Sequence, residues 1–281
     1  PLKDLRLPQD VLAGLIFRNN RMIIPHGDDY LLPNDNTFFV GASGEIEKFS
    51  KHFVGTGIKA PERVMIIGAG RTGRTLAKML DKQGVQVKVI EKDAERSRMV
   101  AERIEEGIVV RGDGTDIDLL TQEGVGEADV VICLTADDKL NLMLALLAKH
   151  LGASRTIVRV ARIEYVDLME KVGVDIVLSS RLLAAGEILA FARRGGVVSV
   201  ALLEGAKAEA MEVIVQKGSY VENKKLMDLQ LPKECLICAF VRDDEAFVPT
   251  GQSSLQAGDR AILFIRMEFA NKVMKYFAGK A

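Results

Sequence analysis

Gly68-Ala69-Gly70-Arg71-Thr72-Gly73 carries the GxGxxG spacing, at the end of an apolar run read as a strand, Val64–Gly68, and at the start of a helical pattern. In that context each glycine has a task. Gly68 permits a tight turn, Gly70 lets a phosphate approach the backbone, and Gly73 lets helix and strand pack closely. The helix N-terminus adds free N–H groups and the positive end of a dipole. Glu91 stands 23 residues after Gly68, at the end of the next apolar run, placed to accept from ribose hydroxyls. A glutamate there favours a free 2′-hydroxyl over a 2′-phosphate, hence NAD over NADP. It is expected to face solvent when no ligand is bound.

Three further clusters end apolar runs, where open α/β sheets bind ligands. In Gly112-Asp113-Gly114-Thr115-Asp116, the aspartate and turn amides are placed to meet adenine or ribose. Thr115 or Asp116 reads equally well as the N-cap of the following helix. Leu134-Thr135-Ala136-Asp137-Asp138 comes next, with Asn141 one turn on; Asp137 or Asp138 is again open to a capping role. Arg159 and Arg162 flank a fifth run and offer charge to a phosphate. Arg71 and Arg74 add positive charge that suits a more highly phosphorylated ligand, so ATP or ADP stands beside NAD.

Other reactive residues carry structural readings. His26 lies in a turn, His52 on a closing helix, and His150 at a helix C-terminus, where a cation meets the dipole. Cys235 and Cys238 have the CxxC spacing but fall in an apolar strand, and three cysteines make neither a disulfide framework nor a four-ligand zinc site. Hydride transfer would require an acid–base group near a nicotinamide, which these residues do not supply. An NAD-dependent oxidoreductase is therefore the second reading, behind a nucleotide sensor that is not an enzyme.

The positioning elements alternate. Strands are predicted at 64–68, 85–90, 108–110, 130–134, 157–160 and 176–178, with helices at 72–83, 94–105, 116–122, 138–151, 164–172 and 180–193. Such alternation predicts a doubly wound, parallel, Rossmann-like α/β sheet. The 180–193 helix carries more apolar surface than one face needs, pointing to an oligomer.

On either side lies a repeat. Residues 2–53 align without a gap on 226–277 at an offset of 224, with Pro8/Pro232, Arg18/Arg242, Gly27/Gly251 and Asp35/Asp259 among the identities. Each copy reads as a small α+β module: a strand (11–17 or 235–241), a hairpin turn (Asn19-Asn20 or Asp243-Asp244), two further strands and a closing helix. A strand at 211–215 precedes the second copy alone. The domain reading is thus 1–53, a partial module; 54–62, a linker; 63–194, the nucleotide fold; and 195–281, a module. The repeat arithmetic predicts a tandem parent of roughly 450 residues.

Composition narrows the class. Lysine and arginine number 38 against 39 aspartates and glutamates, which supplies no global pull toward nucleic acid. Aromatics at 5% give no base-stacking platform. No apolar run approaches the ~18–20 residues that span a bilayer, so a cytoplasmic protein without direct membrane insertion is expected.

The glycine loop, Glu91, the Gly-Asp-Gly-Thr turn, the Leu-Thr-Ala-Asp-Asp strand end and the small C-terminal module together resemble the RCK family (regulators of K⁺ conductance). Its units join a Rossmann-like TrkA-N domain to a TrkA-C domain. The resemblance covers essentially the whole chain, as the end of one unit followed by a complete second one. It implies a cytosolic regulatory subunit of a Trk-type potassium uptake system, peripheral at the inner face of the membrane. There, as a dimer or tetrameric ring, it would gate a TrkH- or TrkG-like transporter in response to NAD(H) or ATP/ADP; another cation channel or antiporter is the alternative partner. Carried over by position, Gly68, Ala69, Gly70, Arg71 and Thr72 would hold phosphates, Glu91 the adenosine ribose, and Asp113 and Thr115 the adenine. The Leu134-Thr135 backbone and Arg159 or Arg162 would complete the site. Ala136-Asp137 departs from the Asn-Asp or Thr-Asp often found there.

Overall fold

Runs of β-branched residues that alternate with amphipathic stretches bury best as strands covered by helices, and the chain folds accordingly. The computed structural model describes residues 1–279 except Arg6, Gln9, Asn20, 54–59, Arg194, Gly195, Glu204, Gly205 and the side chains of 51–53. Most of the expected 54–62 linker, the 194/195 boundary, Asn20 of the first hairpin turn and the His52 side chain therefore lie outside the described residues. The chain divides into two units, Lys59–Arg181 and Pro1–Ile58 with Leu182–Ala281.

The elements in chain order are β1 (Val11–Arg18), β2 (Arg21–Ile23), β3 (Asn36–Gly41), α1 (Ser43–Phe53), β4 (Arg63–Ile67), α2 (Arg71–Lys82) and β5 (Gln86–Glu91). Next come α3 (Ala94–Ala101), β6 (Ile108–Arg111), α4 (Ile117–Gln122), β7 (Val130–Cys133), α5 (Asp138–His150), β8 (Thr156–Val160), α6 (Val166–Val172) and β9 (Ile176–Ser179). The chain closes with α7 (Ser180–Ala192), β10 (Val197–Leu203), β11 (Ala208–Ile214), β12 (Cys235–Arg242), β13 (Glu245–Phe247), β14 (Arg260–Arg266) and α8 (Ala270–Phe277).

In the Lys59–Arg181 unit six strands lie in the order β6-β5-β4-β7-β8-β9, all parallel. This is the doubly wound order whose direction reverses between β4 and β7, and ligands bind at the carboxyl ends of strands at such a point. Two buried clusters cover the sheet, one built on Met65, Ile67, Ile90, Val131 and Leu144, the other on Val64, Ile66, Ala77, Val87 and Val89. α3 ends at Ala101, short of the predicted 105.

The other unit contains both repeat copies. β2-β1-β3 of the first has the same order as β13-β12-β14 of the second, and in the second the sheet extends from β14 to β11 and β10. The correspondence reaches single atoms. Arg18 holds Asp35 through Nε and Nη2 at 2.9 and 2.7 Å and also donates to the Tyr30 carbonyl. Arg242 holds Asp259 at 2.8 and 2.7 Å and donates to the Ser254 carbonyl, 224 residues on. A register shift falls at Gly14 in β1 and at Cys238 in β12, again the same offset. The copies pack there: a Cβ on Gly14 would lie 2.6 Å from the Phe264 ring, so the first copy needs glycine where the second has cysteine. β10 was not expected from the sequence. It is an edge strand of mixed burial, and its Val-Val-Ser-Val run gives no clean alternation.

Candidate functional site

The glycine loop leaves β4 at the centre of the parallel sheet, and its three glycines differ in what requires them. Gly68 has φ +106°, a left-handed conformation, and an added Cβ would lie 3.0 Å from the Leu134 carbonyl carbon and the Thr135 nitrogen. At Gly73 an added Cβ would collide with the Gly68 carbonyl oxygen. Gly70 is another case: φ −60° and ψ −173° suit any residue, and nothing lies within 4 Å of the Cβ position. Among the described residues no contact calls for glycine there, and its place as the N-cap of α2 is one that serine, threonine, asparagine or aspartate would fill as well or better. The space above it is the open N-terminus of α2, which no side chain caps. A phosphate seated on those N–H groups is what a side chain at Gly70 would exclude.

Glu91 ends β5 beside this loop, and it does not face solvent as expected. It is 7% exposed, with Oε2 accepting the Ala69 N–H at 2.6 Å and Oε1 the Asp93 N–H at 2.9 Å. Its charge is used to fix the glycine loop against the β5 terminus, because buried amides of a tight turn need acceptors. A carboxylate has lone-pair positions beyond these two and can still accept from a ribose hydroxyl.

At the end of β6, Asp113 accepts from Thr115 N and Oγ1 at 3.0 and 2.8 Å and from Lys92 Nζ at 2.7 Å. These bonds, the lysine first, hold its carboxyl at about 2. Asp116 caps α4 and Asp137 caps α5, so the capping reading holds for both. At the end of β7 the fully buried Asn141 takes the Thr135 N–H at 2.9 Å and donates to the Thr135 and Arg159 carbonyls. The Arg159 guanidinium in turn donates to the Thr135 carbonyl at 3.0 Å. Asp138 accepts the Ala161 and Arg162 N–H groups and so fixes the end of β8.

These strand ends surround a cleft of about 390 Å³. Gly68, Gly70, Arg71, Thr72, Glu91, Asp113, Thr115, Leu134, Thr135 and Arg159 line it. Ala69 and Gly73 support the loop from behind, and Arg162 is not among the lining residues; its guanidinium lies 5.7 Å from the Tyr165 ring centre. Sequence reasoning missed Lys92 and Arg96, which line the cleft, whereas Gly112, Gly114 and Ala136 lie in the two strand-end clusters it had singled out. Two cations within five residues of a strand end were the available signal for Lys92 and Arg96. The floor is apolar, formed by Ile67, Ile90, Leu134, Leu140 and Leu144, and a Cβ on Gly114 would press to 2.5 Å on Ile67. A flat apolar base with polar edges fits that floor, while the glycine loop and arginines fit phosphates.

Comparison with known proteins follows the same division. The family model of the TrkA-N domain matches residues 64–180, and that of the TrkA-C domain matches 1–54 and 210–278. The chain is 37% identical over 279 residues to the Trk system potassium uptake protein TrkA homolog 2 of Methanosarcina mazei, covering 98% of this chain and 62% of that protein. It is 33% identical to the Trk system potassium uptake protein TrkA of Vibrio alginolyticus, over 91% of this chain and 56% of the relative. The chain thus spans about three-fifths of the length of these curated relatives. Among solved structures the GsuK channel matches at TM-score 0.50 and 22% identity, over 95% of this chain and 46% of that one, a likeness of fold. The chain belongs to the family of proteins built from TrkA-N and TrkA-C domains.

Proposed function

We propose that the cleft binds an adenine nucleotide, NAD(H) or ATP/ADP, and that the chain is a cytosolic regulatory part of a Trk-type potassium uptake system. The observation that carries the ligand reading is Gly70, the N-cap of α2, which no contact among the described residues requires to be glycine and which leaves the helix N-terminus without a side-chain cap. The names of the relatives support the physiological setting. In this reading Gly70, Arg71 and Thr72 hold the phosphates, Glu91 the ribose, and the Ile67–Leu144 floor the adenine. In this reading residues 1–53 and 195–281 are the two modules and 63–194 is the nucleotide domain, although α7 from Leu182 onward falls in the same compact unit as the modules.

A binding role is the reading we favour, because Glu91 and Asp113 both accept from neighbouring groups and so serve to hold the strand ends around the cleft. A sensor needs only a difference in nucleotide affinity between two conformations. No helix of the described residues is long and apolar enough to cross a membrane. In this reading, action on potassium flux runs through a membrane partner of the TrkH/TrkG type, which the names of the relatives support. Leu183, Ile188 and Phe191 on α7, at 62%, 66% and 66% exposed, support a homo-oligomer.

Melting in the presence of NAD, NADH, ADP and ATP tests the reading. A nucleotide at about 100 times its Kd stabilises a protein by about 2.7 kcal/mol, a clear upward shift in Tm. If none of the four raises Tm, the nucleotide reading is wrong.

A further inference from the structure

The nucleotide cleft does not end at Glu91. Past the glycine loop it runs into a second depression of about 500 Å³ between the N-terminal turns of α2 and α3. Gly70, Arg71 and Arg96 line both. Arg74 and Met99 belong to the second alone, with Asp93 and Glu95 as its acidic members.

The charges here are unbalanced in a particular way. Arg71, Arg74 and Arg96 make no ion pair among the described residues. Arg74 Nε is buried without a hydrogen-bond partner, and its Nη1 meets only the Met99 sulfur at 2.7 Å, a weak acceptor. Arg74 is half-buried, and the N–H of a buried, unpaired Nε is costly unless an acceptor such as an anion completes it. The nearby acids are otherwise engaged: Asp93 caps α3 by accepting the Arg96 N–H at 2.8 Å, and both Glu91 oxygens hold backbone amides. Glu95 is the remaining acid, exposed on the first turn of α3.

In a doubly wound fold the adenosine ribose 2′-oxygen lies beside the acid that ends the second strand, and a neighbouring arginine there accommodates a 2′-phosphate. We infer that the depression is a phosphate subsite beside the adenosine ribose, so that the cleft binds NADP(H) no more weakly than NAD(H). The inference rests on the nucleotide reading and reverses the preference expected from Glu91 alone. The Glu91 carboxylate keeps its charge but is buried and turned onto two backbone N–H groups, while three guanidiniums that make no ion pair among the described residues line the depression.

Titration calorimetry of the chain with NAD and with NADP tests it. NADP binding as tightly as NAD, or more tightly, is expected; weaker NADP binding overturns the subsite while leaving the nucleotide reading intact. In Arg74→Ala/Arg96→Ala the ratio of the NADP to the NAD dissociation constant should rise about tenfold, equivalent to about 1.4 kcal/mol. An unchanged ratio overturns the assignment. Arg96→Ala alone, at an exposed side chain, carries the same test with a smaller rise if the double variant does not fold. Failure of both dinucleotides to bind the original chain overturns the subsite, and it refutes the nucleotide reading as well only where NADH, ADP and ATP also fail to bind.

Discussion

Replacing Glu91 with alanine removes the acceptor for two backbone amides at once, those of Ala69 and Asp93. Hydrogen bonds to a charged acceptor contribute about 1.5–3 kcal/mol each, and a buried donor left without a partner costs about 1–3 kcal/mol. The cleft beside Glu91 admits water to the freed amides, so the lower part of those ranges applies, about 2–4 kcal/mol in total. In a unit of roughly 120 residues each kcal/mol moves Tm by about 4 °C, which places the ligand-free loss at roughly 8–16 °C. Glu91→Gln keeps an acceptor for one amide but sets its own N–H₂ against the other, and should lose about half as much. Scanning calorimetry of the ligand-free protein at neutral pH reads both. A Glu91→Ala protein that melts within about 2 °C of the original would refute the clamp. Glu91 would then be a strand-end acid whose only use is the ligand.

Asn141→Leu removes the fully buried amide that ties Thr135 to the end of β8 and should cost about 2–4 kcal/mol, read as a lower urea midpoint. Asp35→Ala and Asp259→Ala each break a bidentate pair on a carboxylate that is 3% exposed, so each should destabilise its module by about 3 kcal/mol, and by similar amounts because the copies match. Acid should weaken the fold through carboxyls held below their ordinary value of 3.8, among them Asp113 at about 2, with Asp81, Asp137 and Asp175 lowered as well. For a depressed carboxyl the stabilisation is complete above the unfolded value and lost as pH falls toward the folded one. The urea midpoint should therefore hold between about pH 7 and pH 5 and fall steeply between about pH 4 and pH 2.

The sequence carried the sheet and its switch point because strand-length apolar runs, glycines and helix caps are local signals. Gly68 and Gly73 were legible for the same reason, since a strand-to-helix turn in this spacing imposes both. What Glu91 does in the ligand-free protein was not legible. Its burial depends on the path of Ala69 and Asp93, two amides that reach it only once the loop has closed. The choice between Arg159 and Arg162 was equally non-local: they are three residues apart, and the packing of Asn141 against the end of β8 decides which one faces the cleft. Lys92 and Arg96 were passed over because an exposed cation after a strand end reads as surface until the glycine loop is placed beside it. In the modules the repeat offset carried more than periodicity did. It anticipated the equivalence of Arg18–Asp35 with Arg242–Asp259, whereas β10 falls outside the repeated stretch and has a pattern too irregular to read.

Gly70→Val tests the central claim most directly, because no described atom lies within 4 Å of the Cβ position at Gly70, whereas a phosphate on the α2 N-terminus would lie against the side chain. The measurement is titration calorimetry with NAD and with ADP on the original chain and on the variant, with the ligand-free Tm of each recorded alongside. The original should bind, and the variant should bind at least about tenfold more weakly while its Tm falls by no more than about 5 °C, since the backbone conformation suits valine and the cost is that of a poorer N-cap. Equal affinity in the two proteins would mean that the phosphates do not sit on the glycine loop, and the cleft between β4 and β7 would not be the nucleotide site.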